Sequence, residues 1–255
     1  MQSVAAVLIA VVIAYLGLCA WVYVTQRSQI YFPTPEARRP GTQSLWIKSS
    51  GAKLKVWTVP RPGPRALLYF GGNAEDVAAN LDDFARTFPG HSLYLVNYRG
   101  YGGSLGDPSE TGFYADALAV HDQVRAAHAE IAVMGRSLGA SVAVYLASER
   151  PLERLVLVTA FDSLVEVARA HFPWLPVAWL LQDRYESARR APAVRAPVLM
   201  VVAGNDEIIP RARSRALAAA FAPGQARVVV VPGTTHNTLD LSPAYLRSVR
   251  TFLDE

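Results

Sequence analysis

The sequence predicts an α/β protein: a mostly parallel sheet with helices on both faces, preceded by an N-terminal transmembrane helix. Three observations predict it. From Ala66 onward, short apolar stretches alternate with helical ones, the pattern of a parallel sheet covered on both faces. Ahead of them, Val4 to Val24 holds no charged residue and is long enough to cross a bilayer as a helix. Midway along the chain stands Gly135-Arg136-Ser137-Leu138-Gly139, a serine between two glycines where a strand gives way to a helix.

The apolar run closes on Trp21 and Tyr23, aromatic residues favoured at a membrane interface. A cleaved signal peptide fits it poorly, because no basic segment precedes the run and no small-x-small site follows it. A lipoprotein signal would use Cys19, but Leu18 stands where that signal needs a small residue. Residues 4–24 are therefore expected to stay as a single-pass anchor. The positive-inside rule, applied to Arg27, Arg38 and Arg39, then puts the catalytic domain in the cytoplasm. Residues 25–42 carry Pro33, Pro35, Pro40 and Gly41 and read as an extended linker. Tyr31 and Phe32 within it are free to pack on the domain or dip into the interface.

Residues 43–255 read as one domain. Leu45 to Lys48 and Leu54 to Val59 are expected as an antiparallel pair around Ser50-Gly51. Strands follow at Ala66–Phe70, Ser92–Asn97, Ile131–Met134, Leu155–Val158, Val198–Val202 and Arg227–Val231. Helices are expected over 77–87, 113–128, 138–148, 211–221 and 243–253. The stretch from Thr159 to Pro197 breaks this rhythm. It holds Phe172, Trp174 and Trp179 among Pro173 and Pro176, which suits a short hydrophobic cap around 161–190 better than a regular helix packed on the sheet.

Composition excludes other classes. At 51% hydrophobic and 18% charged residues, the chain is folded and not disordered. With Cys19 its only cysteine, it has no internal disulfide and rests on its core. The net charge of +4 comes from scattered arginines, clustered only at Arg211, Arg213 and Arg215. No zinc-ligand spacing, RNA-binding motif or basic heptad accompanies them, so neither a metal nor nucleic acid is expected. A solvated surface near anionic lipid headgroups explains the charge better.

The Gly-x-Ser-x-Gly turn carries the chemistry. Between Glu130–Met134 and Ala140–Ala147 it has the form of a nucleophile elbow, a strained turn that exposes the hydroxyl of Ser137. Gly135 and Gly139 let strand and helix approach without Cβ atoms in the way. A serine hydroxyl needs a base within reach, itself held by an acid, in the chain order Ser, acid, His. Of five histidines, His91 precedes a strand, His121 and His128 sit in a helix, and His171 lies in the cap, where substrate is within its reach. His236 alone follows the final strand in a loop, at the edge where open α/β sheets bind ligands. Asp206, just after the penultimate strand, is the favoured acid, with Asp162 after the strand before as the alternative. Glu207 is expected to face solvent or cap the next helix. Leu138 offers one backbone N–H to an oxyanion.

Five ordered motifs carry a resemblance to a known group: Tyr69-Phe70-Gly71-Gly72-Asn73-Ala74, Asn97-Tyr98-Arg99-Gly100-Tyr101-Gly102-Gly103-Ser104, Gly135-Arg136-Ser137-Leu138-Gly139, Asn205-Asp206-Glu207-Ile208-Ile209-Pro210 and Thr235-His236-Asn237. From Tyr31 to the C-terminus the chain resembles the membrane-anchored α/β-hydrolases, the branch that includes protein depalmitoylases and uncharacterised bacterial relatives. Likeness to hydrolases with His-Gly-x in the first motif assigns the second oxyanion N–H to Asn73. Two positions depart from the group, which often has His where Gly71 stands and an acidic residue where Thr238 stands. The first change is expected to reshape the oxyanion loop, the second to loosen the loop of His236.

The resemblance implies an α/β-hydrolase fold and a serine hydrolase that cleaves an ester or thioester without a cofactor. Ser137 is the expected nucleophile, His236 the base and Asp206 the orienting acid. Phe172, Trp174 and Trp179 are expected to line the substrate pocket. The expected partners are the membrane and a small-molecule or lipid-like acyl substrate, including an acylated protein. A peptidase or amidase on the same triad is the competing activity. A non-catalytic membrane binding protein on the same fold competes from another class.

Overall fold

A computed structural model describes residues 2–255. Helix α1, Gln2–Ile30, is followed by the strands β1 (Gln43–Ser49), β2 (Ala52–Val59) and β3 (Arg65–Phe70). A 3-10 turn over Val77–Asn80 leads into α2 (Leu81–Thr87), then β4 (Ser92–Val96), α3 (Glu110–Arg125), β5 (Glu130–Arg136) and α4 (Leu138–Glu149). After β6 (Arg154–Val158) come α5 (Leu164–His171), α6 (Val177–Leu180) and α7 (Ser187–Arg190). The chain closes with β7 (Val198–Ala203), α8 (Arg211–Ala220), β8 (Ala226–Val231) and α9 (Pro243–Asp254).

The eight strands form one sheet in the order β1-β2-β4-β3-β5-β6-β7-β8. β2 runs antiparallel to both its neighbours, and all pairings from β4 to β8 are parallel. This is the α/β-hydrolase fold. Alternation along each strand sorts its side chains into two cores. Leu68, Phe70 and Val133 belong to the layer under α3 and α4, while Leu67, Tyr69 and Met134 belong to the layer under α2 and α9. Strands buried on both faces read as continuous apolar runs, which is why their positions were plain in the sequence.

At two boundaries the difference from expectation has a visible cause. α1 continues through Ile30, although residues 25–30 were expected to be extended. The first proline is Pro33, and the polar residues of this last stretch are held in helical form. Thr25 Oγ1 donates to the Trp21 carbonyl, Gln26 binds the Leu180 carbonyl and Gln182 N–H, and Arg27 pairs with Asp183. α3 begins at Glu110, because Ser109 accepts from the Gly112 N–H as its N-cap.

The strand order sets where the chemistry gathers. β3 connects to β4 on one side and is flanked by β5 on the other, so their two following loops diverge from one switch point. Phe70 pairs with Gly135, which puts the loop after β3 directly beside the elbow. Ala203 pairs with Val231, which aligns the loops after β7 and β8.

Candidate active site

Ser137 joins β5 to α4 with φ +51°, in the left-handed region that a non-glycine residue occupies only at a cost. Both glycines of the elbow are sterically required. A Cβ on Gly135 would stand 2.2 Å from the Gly139 carbonyl oxygen, and one on Gly139 would stand 2.1 Å from that of Phe70. The turn therefore holds only while strand and helix keep this close approach.

The Nε2 atom of His236 lies 3.1 Å from Ser137 Oγ. Its Nδ1 atom lies 2.9 Å and 3.1 Å from the two carboxylate oxygens of Asp206. The Asp206 carboxylate is buried and also accepts the Ile208 and Ile209 N–H groups at 3.0 and 2.7 Å. With one oxygen fixed by two amides, it presents a set face to the imidazole. The Glu207 carboxylate is exposed, and accepts the His236 N–H at 3.3 Å.

Asp162 is elsewhere. Its carboxylate accepts from Arg213 at 3.1 Å and from the Ser163 N–H at 2.9 Å. Burial pushes its pKa up, and the Ser163 amide and Arg213 act against that push.

The loop after β3 faces the elbow. Gly72 approaches Ser137 so closely that a Cβ on it would sit 3.8 Å from the serine Cβ. The Gly72 N–H is taken by Glu75 Oε2 at 2.6 Å. The Asn73 N–H has no acceptor among the described residues. Leu138 opens α4, whose first-turn N–H groups lack intrahelical partners. Leu138 follows Ser137 directly at the start of α4, and Asn73 lies in the loop after β3 that faces the elbow.

The departures at Gly71 and Thr238 have local explanations. The space that a side chain at residue 71 would enter is filled by Val77, 2.5 Å from the position of a Cβ. Thr238 Oγ1 accepts the Thr235 N–H at 2.9 Å, so a hydroxyl turn closes the His236 loop that was expected to be loosened.

Comparison with known proteins accords with this arrangement. The profile of the family described as serine hydrolase (FSH1) matches residues 96–237, a span containing Ser137, Asp206 and His236. The chain belongs to this serine hydrolase family. An uncharacterised protein of Mycobacterium tuberculosis is 40% identical over 94% of this chain and 91% of its own length. An uncharacterised membrane protein of Saccharomyces cerevisiae is 29% identical over 90% of this chain and 86% of its own. The lysophosphatidylserine lipase ABHD12 of Mus musculus is 27% identical over 82% of this chain, which spans 61% of that protein. Among solved structures, an esterase of Pyrococcus furiosus superposes with a TM-score of 0.69 at 17% identity, covering 88% of this chain and 98% of its own. The chain is thus a hydrolase with a lipase among its relatives, and α1 is long and apolar enough to cross a membrane.

A cavity of about 920 Å³ opens over Ser137 and His236, within the size range of small-molecule sites. Phe172 and Trp174 line it from the segment between α5 and α6, His171 from the end of α5, and Asn73 from the loop after β3. His171 Nε2 stands 2.8 Å from the Ile208 carbonyl oxygen. Trp179 does not line the cavity. It is 88% exposed, because α6 is a single turn in which Val177 takes the buried face. Two helical positions are about 200° apart, so residue 179 points away.

Two features were missed by reading the sequence. α1 supplies part of the cavity wall through Leu18, Trp21, Val22 and Ile30. Glu75 is the other, at the centre of a buried network. Besides Gly72, it accepts from the Tyr69 hydroxyl at 2.6 Å and from Asn80 at 2.7 Å, and it lies 3.6 Å from Arg136 Nη1. Burial works against the charge of Arg136, but Glu75 and its other neighbours hold its pKa above the usual value. The signal available was a charged residue at the second position of the elbow, where the strand is still buried. Among the described residues, no group of three or more His, Cys, Asp or Glu side chains is placed to hold a metal.

Proposed function

We propose that this protein is a membrane-anchored serine hydrolase that cleaves carboxylic ester or thioester bonds of an acyl substrate through an acyl-enzyme on Ser137. One observation carries the reading: Ser137 Oγ stands 3.1 Å from His236 Nε2 beneath a large, mainly apolar cavity. The lipase named among its relatives supports an acyl lipid as the substrate class.

In this reading Ser137 Oγ attacks the substrate carbonyl while His236 Nε2 takes its proton. Asp206 holds the Nδ1–H and stabilises the imidazolium. The Leu138 and Asn73 N–H groups receive the oxyanion, each worth roughly 3–4 kcal/mol of transition-state stabilisation by comparison with other enzymes. The tetrahedral intermediate collapses as His236 returns the proton to the departing alcohol or thiol. Water then attacks the acyl-enzyme with His236 again as base, releasing the acid and restoring Ser137. The apolar run of α1 anchors the domain, and Arg27, Arg38 and Arg39 favour its cytoplasmic face.

A panel of p-nitrophenyl acyl esters of rising chain length, set against peptide amides, tests the reaction class. The expected result is ester hydrolysis with kcat/KM rising with chain length and no amide cleavage. Cleavage of amides with esters untouched would overturn it.

A further inference from the structure

The second half of the apolar run in α1 lies along the cap. The Tyr15 hydroxyl donates to the Trp174 carbonyl at 2.9 Å. Further along, Gln26 donates to the Leu180 carbonyl at 3.0 Å and accepts the Gln182 N–H at 2.7 Å. Arg27 pairs with Asp183 at 3.0 Å.

The cap has the same polarity pattern as the helix. Phe172 to Leu181 holds no charged residue and is bounded by Arg169 and His171 on one side and by Gln182, Asp183 and Arg184 on the other. α1 is uncharged from Val4 to Val24 and is bounded by Gln26 and Arg27. The contacts match apolar stretch to apolar stretch and polar end to polar end.

This pairing fixes a depth. A helix needs about 20 apolar residues to fill a hydrocarbon layer of about 30 Å. Val4 to Val24 is the stretch that fits, and Tyr15 sits near its middle. The part from Tyr15 to Val24, about 14 Å of helix, is level with the cap. A bilayer that surrounds this run therefore reaches the cap as well. Trp174 and Phe172 are half exposed and Trp179 almost wholly so, an apolar aromatic face suited to lipid and costly in water.

We propose that the cap tip, Phe172 to Leu181, is seated in the bilayer beside α1, and that the cavity draws its substrate sideways from the leaflet as a membrane-resident acyl lipid. The acyl chain passes between α1 and the cap, along Leu18, Trp21 and Val22, until its carbonyl reaches Ser137. The choice of substrate rests on the hydrolase reading above. The seating of the cap does not.

Nitroxide labels test the depth in the full chain, in phosphatidylcholine vesicles, on a Cys19→Ala background. They are attached at Trp174→Cys, at Trp179→Cys and at Lys48→Cys on the exposed edge of the domain. The expected result is strong relaxation by oxygen and shielding from a water-soluble nickel chelate at 174, a weaker form of both at 179, and free nickel access at 48. Nickel access at 174 and 179 equal to that at 48 overturns the proposal. Shielding from both reagents does too, since it marks a protein partner or a second copy on this face. The label at 179 replaces an exposed side chain, so it stands if the 174 variant misfolds.

A second arm reads the substrate route. Trp179→Glu is expected to lower turnover of a long-chain ester held in vesicles about fivefold, with hydrolysis of soluble p-nitrophenyl acetate unchanged. Equal turnover of both by variant and wild type overturns lateral entry. If the wild type hydrolyses neither, the hydrolase reading fails and the label depths still decide the seating of the cap.

Discussion

Arg136 donates from Nη2 to the carbonyl oxygen of His236 at 3.1 Å, so the residue beside the elbow serine holds the loop that carries the imidazole. The same guanidinium faces Glu75, which binds the Gly72 N–H in the loop opposite. Elbow, His236 loop and the loop after β3 are thereby tied to one ion pair. Arg136→Met is expected to lower kcat about 100-fold through misplacement of the imidazole, with KM little changed. Steady-state kinetics on a short ester check this, and unchanged kcat would show that the bond positions nothing.

Glu75→Ala leaves Arg136 buried without its partner and frees the Gly72 N–H. The expected loss of stability is about 3 kcal/mol, read from thermal or denaturant unfolding in detergent. Glu75→Gln keeps one acceptor oxygen, enough for the Tyr69 hydroxyl and Asn80, and is expected to lose less.

Asp206 and Asp162 are separable by one substitution each. Asp206→Asn removes the acceptor of the His236 Nδ1–H and is expected to lower kcat by about 10⁴-fold with the fold intact, as in serine proteases. Asp162→Asn touches Arg213 and the Ser163 turn, and is expected to leave kcat near that of the wild type. Circular dichroism confirms that either variant is folded.

Gly139→Ala places a methyl group against the Phe70 and Gly71 carbonyl oxygens, both backbone atoms that cannot rotate aside. A loss of about 3 kcal/mol, the upper end of overpacking costs, is expected from unfolding measurements.

The Arg150 guanidinium binds Asp122 through two hydrogen bonds of 2.9 Å and holds its pKa down at about 2, with His121 assisting. Because the folded-state pKa is lowered, this pair stabilises the protein above the ordinary carboxylate pKa of about 4. The contribution is lost as pH falls towards about 2. Asp122 is half exposed, so screening limits the contribution to less than about 1 kcal/mol. Arg150→Ala is expected to raise the Asp122 pKa towards its ordinary value in an NMR titration.

How far the sequence could be read depended on whether the deciding contacts were local. The elbow was legible because close strand–helix approach admits only glycine at residues 135 and 139, and that requirement is written in adjacent positions. Asp206 and His236 were legible because each follows an apolar strand, and strand order delivers the two loops to one edge. Glu75 and Arg136 were not, since their pairing spans two loops and no local periodicity records it. The role of α1 in the cavity wall was hidden for a related reason. An apolar helix carries no sign of whether its neighbour is lipid or protein, and the docking is disclosed by Tyr15 binding Trp174 and by Gln26, Arg27 and Tyr31 binding residues 180–185. Trp179 misled because aromatic residues among prolines suggested a pocket, whereas a one-turn helix turned that ring outward.

The nucleophilic role of Ser137 is the claim on which the functional account rests, and labelling with a fluorophosphonate probe measures it most directly. The account predicts covalent labelling of the full-length protein in membranes and none in Ser137→Ala. A wild type that stays unlabelled while correctly folded, or a Ser137→Ala variant that labels as strongly, would contradict it.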